Sequence, residues 1–144
     1  MAEPDWLERL EDRQQLQHFS REMLNYSGKR TLTGSELELL SLLYLTETGC
    51  TPLDLSHRSG MKKEAVSRCL RQLQEKACIL RERCPGDERS YLLHLTDAGR
   101  QALEENYGPI LRPMYRLKRS MGEDFMTLFA LIRRANEVLN QTDF

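Results

Sequence analysis

The stretch Thr51-Pro52-Leu53-Asp54-Leu55-Ser56-His57-Arg58-Ser59-Gly60-Met61-Lys62-Lys63-Glu64-Ala65-Val66-Ser67-Arg68-Cys69-Leu70-Arg71-Gln72-Leu73-Gln74-Glu75-Lys76 decides the fold. Thr51 is an N-cap candidate, and Pro52 stands at the first helical position, where its missing N–H is no loss. The spacing predicts a short helix over Pro52 to Arg58, a turn at Ser59-Gly60, and a longer helix from Lys62 to Lys76. Two helices joined by a turn of about three or four residues containing glycine form a helix-turn-helix. At about 100° per residue, Val66, Leu70 and Leu73 fall on one side of the second helix with Ala65 and Cys69 flanking, and that side is the one to bury. Glu64, Ser67, Arg68 and Arg71 lie opposite.

Downstream the period changes. Ile79 to Arg83 and Tyr91 to Leu95 alternate as strands, separated by Cys84-Pro85-Gly86-Asp87-Glu88-Arg89-Ser90, whose Pro-Gly-Asp is turn chemistry. A β-hairpin that follows a helix-turn-helix is a wing. Thr96 caps a further helix from Asp97 to about Ser120, bent or interrupted near Gly108-Pro109 and Pro113. Gly122 separates it from a last helix, Glu123 to Asn140, with a wide apolar stripe of Phe125, Leu128, Phe129, Ile132, Ala135 and Leu139. Upstream, Thr33-Gly34-Ser35-Glu36 is a capping-box pattern that opens an apolar run to Leu45. Before it, Trp6, Leu7, Leu10, Leu16, Phe19, Met23 and Tyr26 mark an amphipathic helix from Asp5 to about Tyr26. The fold class is therefore mostly α with a small β-hairpin wing.

The chain has 144 residues and a net charge of −1, but the charge is uneven. Between His57 and Ser90 nine Lys/Arg face five Asp/Glu, which makes that segment +4 and the remainder −5. A basic middle on an acidic frame suits a protein that neutralises phosphates locally. Lys62 and Lys63 in the first helical turn oppose the helix dipole, an arrangement that makes sense with phosphates beside them. Arg68 and Arg71 can pair bidentately with guanine, and Glu64 can accept from cytosine. Ordinary charges on a solvated helix face explain the same residues. Arg89 near the hairpin tip can enter a minor groove, with Asp87 placed to hold it.

Leu32-Thr33-Gly34-Ser35-Glu36, Leu53-Asp54-Leu55-Ser56 and Ala65 through Lys76 resemble the corresponding helices of the MarR family of winged helix-turn-helix regulators. Asp87-Glu88-Arg89-Ser90 followed by Leu95-Thr96-Asp97-Ala98-Gly99 resembles that family's wing and the junction after it. The resemblance implies a single domain over 1–144: a winged helix-turn-helix over 32–104, flanked by dimerisation helices over 5–28 and 106–141. It further implies a homodimer that binds double-stranded DNA at an inverted-repeat operator, as a repressor released by a small aromatic or anionic effector. Carried onto this chain, Lys62, Lys63, Glu64, Ser67, Arg68 and Arg71 read the major groove, while Arg89, organised by Asp87, enters the minor groove. His18, Tyr44, Tyr107 and Tyr115 are candidates to line an effector pocket between the dimerisation and DNA-binding regions, though core or dimer interface accounts for each as well. Arg112, Arg116, Lys118 and Arg119, with no acid among them, could neutralise an anionic ligand or simply be solvated. One departure stands out: Ala77 replaces the glycine usual after Glu-Lys, which extends the helix or strains the turn into Ile79.

Other functions find less support. His18, His57 and His94 are far apart, Cys-x-x-Cys and His-x-x-x-His pairs are absent, and so no metal or cofactor is expected. Asp54 and His57 share a short helix face that reads as polar surface. The sequence has no phosphate-binding glycine loop and no nucleophile motif, which points away from an enzyme. Of the four cysteines, Cys50, Cys69, Cys78 and Cys84, only Cys84 beside Arg83 has the setting of an activated thiol. Reduced cysteines, an acidic N-terminus unlike a secretory signal and the lack of a membrane-spanning run point to the cytoplasm. The alternative from another class is a winged-helix module that binds proteins and does not read DNA. The cationic wing and the +4 segment argue against it.

Overall fold

The computed structural model describes residues 3–24, 31–84, 86–87 and 90–141. Six helices and one hairpin follow in the order α1 (Trp6–Leu24), α2 (Gly34–Tyr44), α3 (Pro52–Ser59), α4 (Lys63–Glu75), β1 (Ile79–Arg83), β2 (Tyr91–Leu95), α5 (Asp97–Met121) and α6 (Glu123–Gln141). The strands match the expected ones residue for residue, and helix ends differ by one or two positions, where fraying makes boundaries soft. Two compact units result: α2 to Tyr107 forms the winged unit, while α1 and the chain from Gly108 onward form the other.

The winged unit holds the core. Leu39, Leu40, Leu55, Val66, Leu73 and Leu93 are fully buried there. Both capping signals operate. The Thr33 hydroxyl accepts from the Glu36 N–H while the Glu36 carboxylate accepts from the Thr33 N–H, each at 3.1 Å. Thr51 and Asp54 repeat the same reciprocal pair at the start of α3, with Pro52 behind the cap. Each such cap is worth about 1 kcal/mol. Gly60 ends α3 with φ +73, a left-handed conformation that glycine adopts without a Cβ penalty. The Ser56 hydroxyl donates to the Met61 carbonyl at 2.7 Å and closes the turn into α4.

The hairpin pairs antiparallel in the register Ile79↔Leu95 to Arg83↔Tyr91. Its inner strand is pinned to the loop before α3, because Cys50 and Leu93 exchange both backbone hydrogen bonds, at 3.2 and 2.8 Å. Thr96 then serves two elements. Its hydroxyl accepts from the Gly99 N–H at 3.0 Å, capping α5, and donates to the Ala77 carbonyl at 2.6 Å. Gly99 packs against the Cys78 carbonyl so closely that a Cβ there would collide with it. The Leu-Thr-x-x-Gly pattern is thus a joint between the end of α4, the hairpin and α5.

α5 runs as one helix from Asp97 to Met121 with Pro109 and Pro113 inside it, close to the expected span of Asp97 to about Ser120 and without an interruption. The amphipathic stripe expected on α1 does not stay on one face. At about 100° per residue Trp6, Leu7 and Leu10 cluster on one side, and Leu16, Phe19 and Met23 turn to another. Tyr26, the last residue of that stripe, lies outside the described residues. α1 and α6 contain no fully buried residue, and Trp6, Leu7, Leu16, Met126, Leu131 and Leu139 are at least half exposed. Phe125 and Phe129 make a tilted ring contact on α6, with centroids 4.8 Å apart. No helix among the described residues is long and apolar enough to cross a membrane.

Candidate nucleic-acid interface

α4 is built to present one face. Val66, Cys69, Leu70 and Leu73 are buried against the core, and Lys62, Lys63, Glu64, Ser67, Arg68 and Arg71 are all exposed. Lys62 is the N-cap residue and not part of the first turn; its backbone is extended and its side chain makes no capping hydrogen bond. The first amide N–H groups of α4 therefore have no side-chain acceptor, unlike those of α2 and α3. An uncapped helix N-terminus flanked by Lys62 and Lys63 offers donors and positive charge to an anion. Among the described residues, no ion pair engages Lys62, Lys63, Arg68 or Arg71. Their charges are available to a partner.

The wing follows α4 in the same unit. Asp87 is exposed, and its N–H donates to the Cys84 carbonyl at 3.2 Å, while the Cys84 N–H reaches the Ser90 carbonyl at 3.2 Å across the hairpin tip. Arg89, the wing cation of the sequence reading, lies outside the described residues. Within the strands, the Arg81 guanidinium covers the Tyr91 ring at 4.4 Å, a contact that stiffens the base of the wing.

Of the four candidate effector residues, His18 and Tyr115 belong to one unit and Tyr44 and Tyr107 to the other. His18 lines a cavity of about 470 Å³ with Glu22, Met23, Arg112, Pro113, Arg116, Leu117 and Ser120. Tyr107 and Tyr115 are exposed and are not part of that lining, and the Tyr44 ring lies beneath the Arg100 guanidinium at 5.2 Å. The cavity instead joins His18 to two arginines one helical turn apart on α5. Asp54, which shares a helix face with His57, is occupied as the capping partner of Thr51, and those hydrogen bonds hold its carboxyl below its ordinary pKa. Burial, reinforced by the Glu36 and Glu38 carboxylates, pushes the Cys69 thiol up to about 11. Burial and Glu36 raise Cys78 as well. Both are poor nucleophiles in that state.

Sequence reasoning missed the polar centre behind α4. Lys76, the C-cap of α4, donates to both oxygens of the buried Glu36 carboxylate, at 2.9 and 2.7 Å, and to the Thr31 carbonyl at 3.3 Å. Glu36 was legible only as a capping residue and Lys76 only as a surface charge. No local spacing rule links residues 40 apart. Asn106, buried in α5, donates to the Thr31 hydroxyl at 3.3 Å and to the Ala102 carbonyl at 2.6 Å. Its only sequence signal is an amide where a helix facing the core would carry an apolar residue.

Comparison with known proteins agrees with this arrangement. A family model described as MarR family matches residues 32–91. The uncharacterized HTH-type transcriptional regulator YdgJ of Bacillus subtilis is 39% identical over 75 residues. That match takes in 52% of this chain and 45% of YdgJ, so the chain matches less than half the length of this curated relative. A MarR/EmrR family transcriptional regulator from Acinetobacter sp. ADP1 superposes with a TM-score of 0.76 at 24% identity, covering 94% of this chain and 99% of that one. A mutant of MarR from E. coli, crystallised with operator DNA, superposes with a TM-score of 0.70 at 19% identity, covering 93% and 99%. These likenesses establish a winged helix-turn-helix fold.

Proposed function

We propose that this chain, whose residues 32–91 match the MarR family model, is a MarR-family, sequence-specific, DNA-binding transcriptional regulator acting as a cytoplasmic homodimer. The observation that carries the reading is the exposed face of α4. Six polar or charged side chains line it, among them four cations with no ion pair among the described residues, and the helix N-terminus has no side-chain cap. Arg68, Arg71, Glu64 and Ser67 face base edges in the major groove, while Lys62, Lys63 and the first amides of α4 take phosphates. Asp87 and Arg89 belong to the wing and its minor-groove contact. A protein-binding winged helix has no use for so many unpaired cations on one helix.

The dimer is supported by α1 and α6, whose large apolar side chains stand open in the single chain. Soluble monomers rarely leave so many together, and a second copy would cover them. Two α4 helices would then meet successive major grooves, with half-sites about 10 base pairs apart. Repression, relieved when a small anion binds, is the regulatory reading, and the cavity between His18, Arg112 and Arg116 supports it. Two guanidiniums and an imidazole, set against the one carboxylate of Glu22, line a recess of about 470 Å³ whose surplus of cationic groups suits a small carboxylate.

Selection from a random duplex library, followed by titration of the enriched sequences at two salt concentrations, tests the proposal. An enriched inverted repeat with half-sites one helical turn apart is the expected result. Weak, salt-sensitive binding with no enriched sequence would overturn it in favour of a protein-interaction module.

A further inference from the structure

We propose that Thr31 is a positioning residue for DNA reading: its two oxygens join α4 to α5 and set the seat of the recognition helix. The backbone carbonyl accepts from Lys76 Nζ at 3.3 Å, and the hydroxyl accepts from Asn106 Nδ2 at 3.3 Å. Lys76 is the C-cap of the recognition helix and is itself clamped on Glu36 of α2. A continuous polar chain therefore runs Glu36, Lys76, Thr31, Asn106, from the base of α2 through the end of α4 to α5.

Three features mark this chain as a positioning device and not as a by-product of packing. Asn106 is 4% exposed, and asparagine is a poor helix former, so leucine would be the more stable occupant of the site. An amide is kept there although its burial has to be compensated by the hydrogen bonds to Thr31 and Ala102. The other contacts that seat α4, through Val66, Leu70 and Leu73, are apolar packing that sets which face is buried. The hydrogen bonds at the Lys76 end are directional and add a constraint on the orientation of the helix that packing alone does not supply. Finally, Asn106 stands two residues before Gly108, where α5 passes out of the winged unit, and Pro109 deprives the Glu105 carbonyl of its helical donor just there. A change in the course of α5 at that point reaches the recognition helix through Thr31 and bypasses the wing.

The inference rests on α4 being the base-reading helix, and the test separates the two. Thr31→Val removes only the hydroxyl acceptor, keeps the side-chain shape and leaves the carbonyl for Lys76; Thr31→Ser restores the acceptor. The affinity ratio between the duplex enriched by the unaltered protein and a scrambled duplex of equal composition is measured well below the unfolding temperature. The ratio is expected to fall about tenfold in Thr31→Val, with the unfolding midpoint close to that of the unaltered protein, and to return in Thr31→Ser. Asn106→Leu, which leaves Thr31 intact and removes the amide, is expected to lower the ratio similarly while keeping or raising stability. Unchanged discrimination in Thr31→Val and Asn106→Leu overturns the inference while leaving α4 as the reader. If the unaltered protein enriches no sequence, the reading of α4 fails first and the inference falls with it.

Discussion

Lys76 Nζ lies 2.7 Å from one oxygen of Glu36 and 2.9 Å from the other, with the carboxylate side chain 1% exposed and the lysine side chain 42% exposed. The asymmetry of burial predicts an asymmetry of mutation. Lys76→Met strands a buried carboxylate and should cost about 3 kcal/mol. Glu36→Gln leaves the ammonium half in water and keeps an oxygen for the cap on the Thr33 N–H, so it should cost about 1 kcal/mol. Urea unfolding of the two variants reads the order directly. Equal losses would mean that water reaches Glu36 and that the pair acts as a surface bridge.

The same pair has a pH signature. Burial raises the Glu36 pKa, but the Lys76 hydrogen bond, the Thr33 cap and the nearby charge together outweigh burial and hold it below its ordinary value. A depressed carboxyl contributes stability that is complete above the unfolded pKa of about 4.3 and is lost as the pH falls through the lower folded value. The stability gap between the unaltered protein and Glu36→Gln should therefore narrow as the pH drops from 6 towards about 3. Comparing the two proteins cancels the contribution of Asp54, which is depressed by its own cap. A constant gap across that range would show that the cap, not the ion pair, is what the glutamine disturbs.

Opposite signs are expected at Ala77 and Gly99. Ala77 has φ +58, the one positive value at a non-glycine among the described residues. It sits where α4 closes with the Cys78 N–H on the Leu73 carbonyl and the Ala77 N–H on the Gln74 carbonyl, the Schellman arrangement that favours glycine. Ala77→Gly should gain about 0.5–1 kcal/mol, with left-handed strain relieved and partly offset by a looser unfolded chain. Gly99→Ala should improve helix propensity in isolation, yet its methyl group would meet the Cys78 carbonyl. A net loss of about 1–3 kcal/mol is expected. Thermal unfolding of the two single variants checks both signs.

Much of this was legible in local chemistry. Capping by Thr33, Thr51 and Thr96, the Gly60 turn and the strand alternation around the Pro-Gly-Asp tip are all decided within a few residues. The exposed face of α4 follows from helical period alone. Two things were not local. The Glu36–Lys76–Thr31–Asn106 chain joins residues as many as 75 positions apart, and each member looks ordinary by itself. The apolar residues of α1 divide between two faces at about 100° per residue, and a search for one stripe merges them. Ala77 was the intermediate case, since its departure from glycine was visible and only the backbone angle decided between a longer helix and strain.

The recess at His18 predicts a ligand class. Arg112 and Arg116 line it one turn apart on α5, and neither makes an ion pair among the described residues. Benzoate-type carboxylates should raise the unfolding temperature in a saturable way, since a ligand bound only to the folded state stabilises it by mass action. Arg112→Ala and Arg116→Ala should each abolish the shift, while Tyr44→Phe, outside the recess, should leave it unchanged. Stabilisation that survives loss of both arginines would place the ligand elsewhere.

The arginines of α4 and the wing should separate by the kind of loss they produce. Arg68 and Arg71 are exposed on α4 opposite its buried face, where bidentate pairing with guanine is possible. Replacing either with alanine should cost about 1–3 kcal/mol on the enriched duplex, relax preference at particular base pairs, and leave binding to scrambled DNA nearly intact. Arg89→Ala should act differently, because a minor-groove cation reads width and charge more than base identity. Its loss should weaken all duplexes alike and reduce the slope of log affinity against log salt by about 0.9, the equivalent of one phosphate. A uniform loss for Arg68 or Arg71 would reassign it to the backbone. An unchanged salt slope for Arg89→Ala would remove the wing from the interface and leave α4 to supply both affinity and specificity.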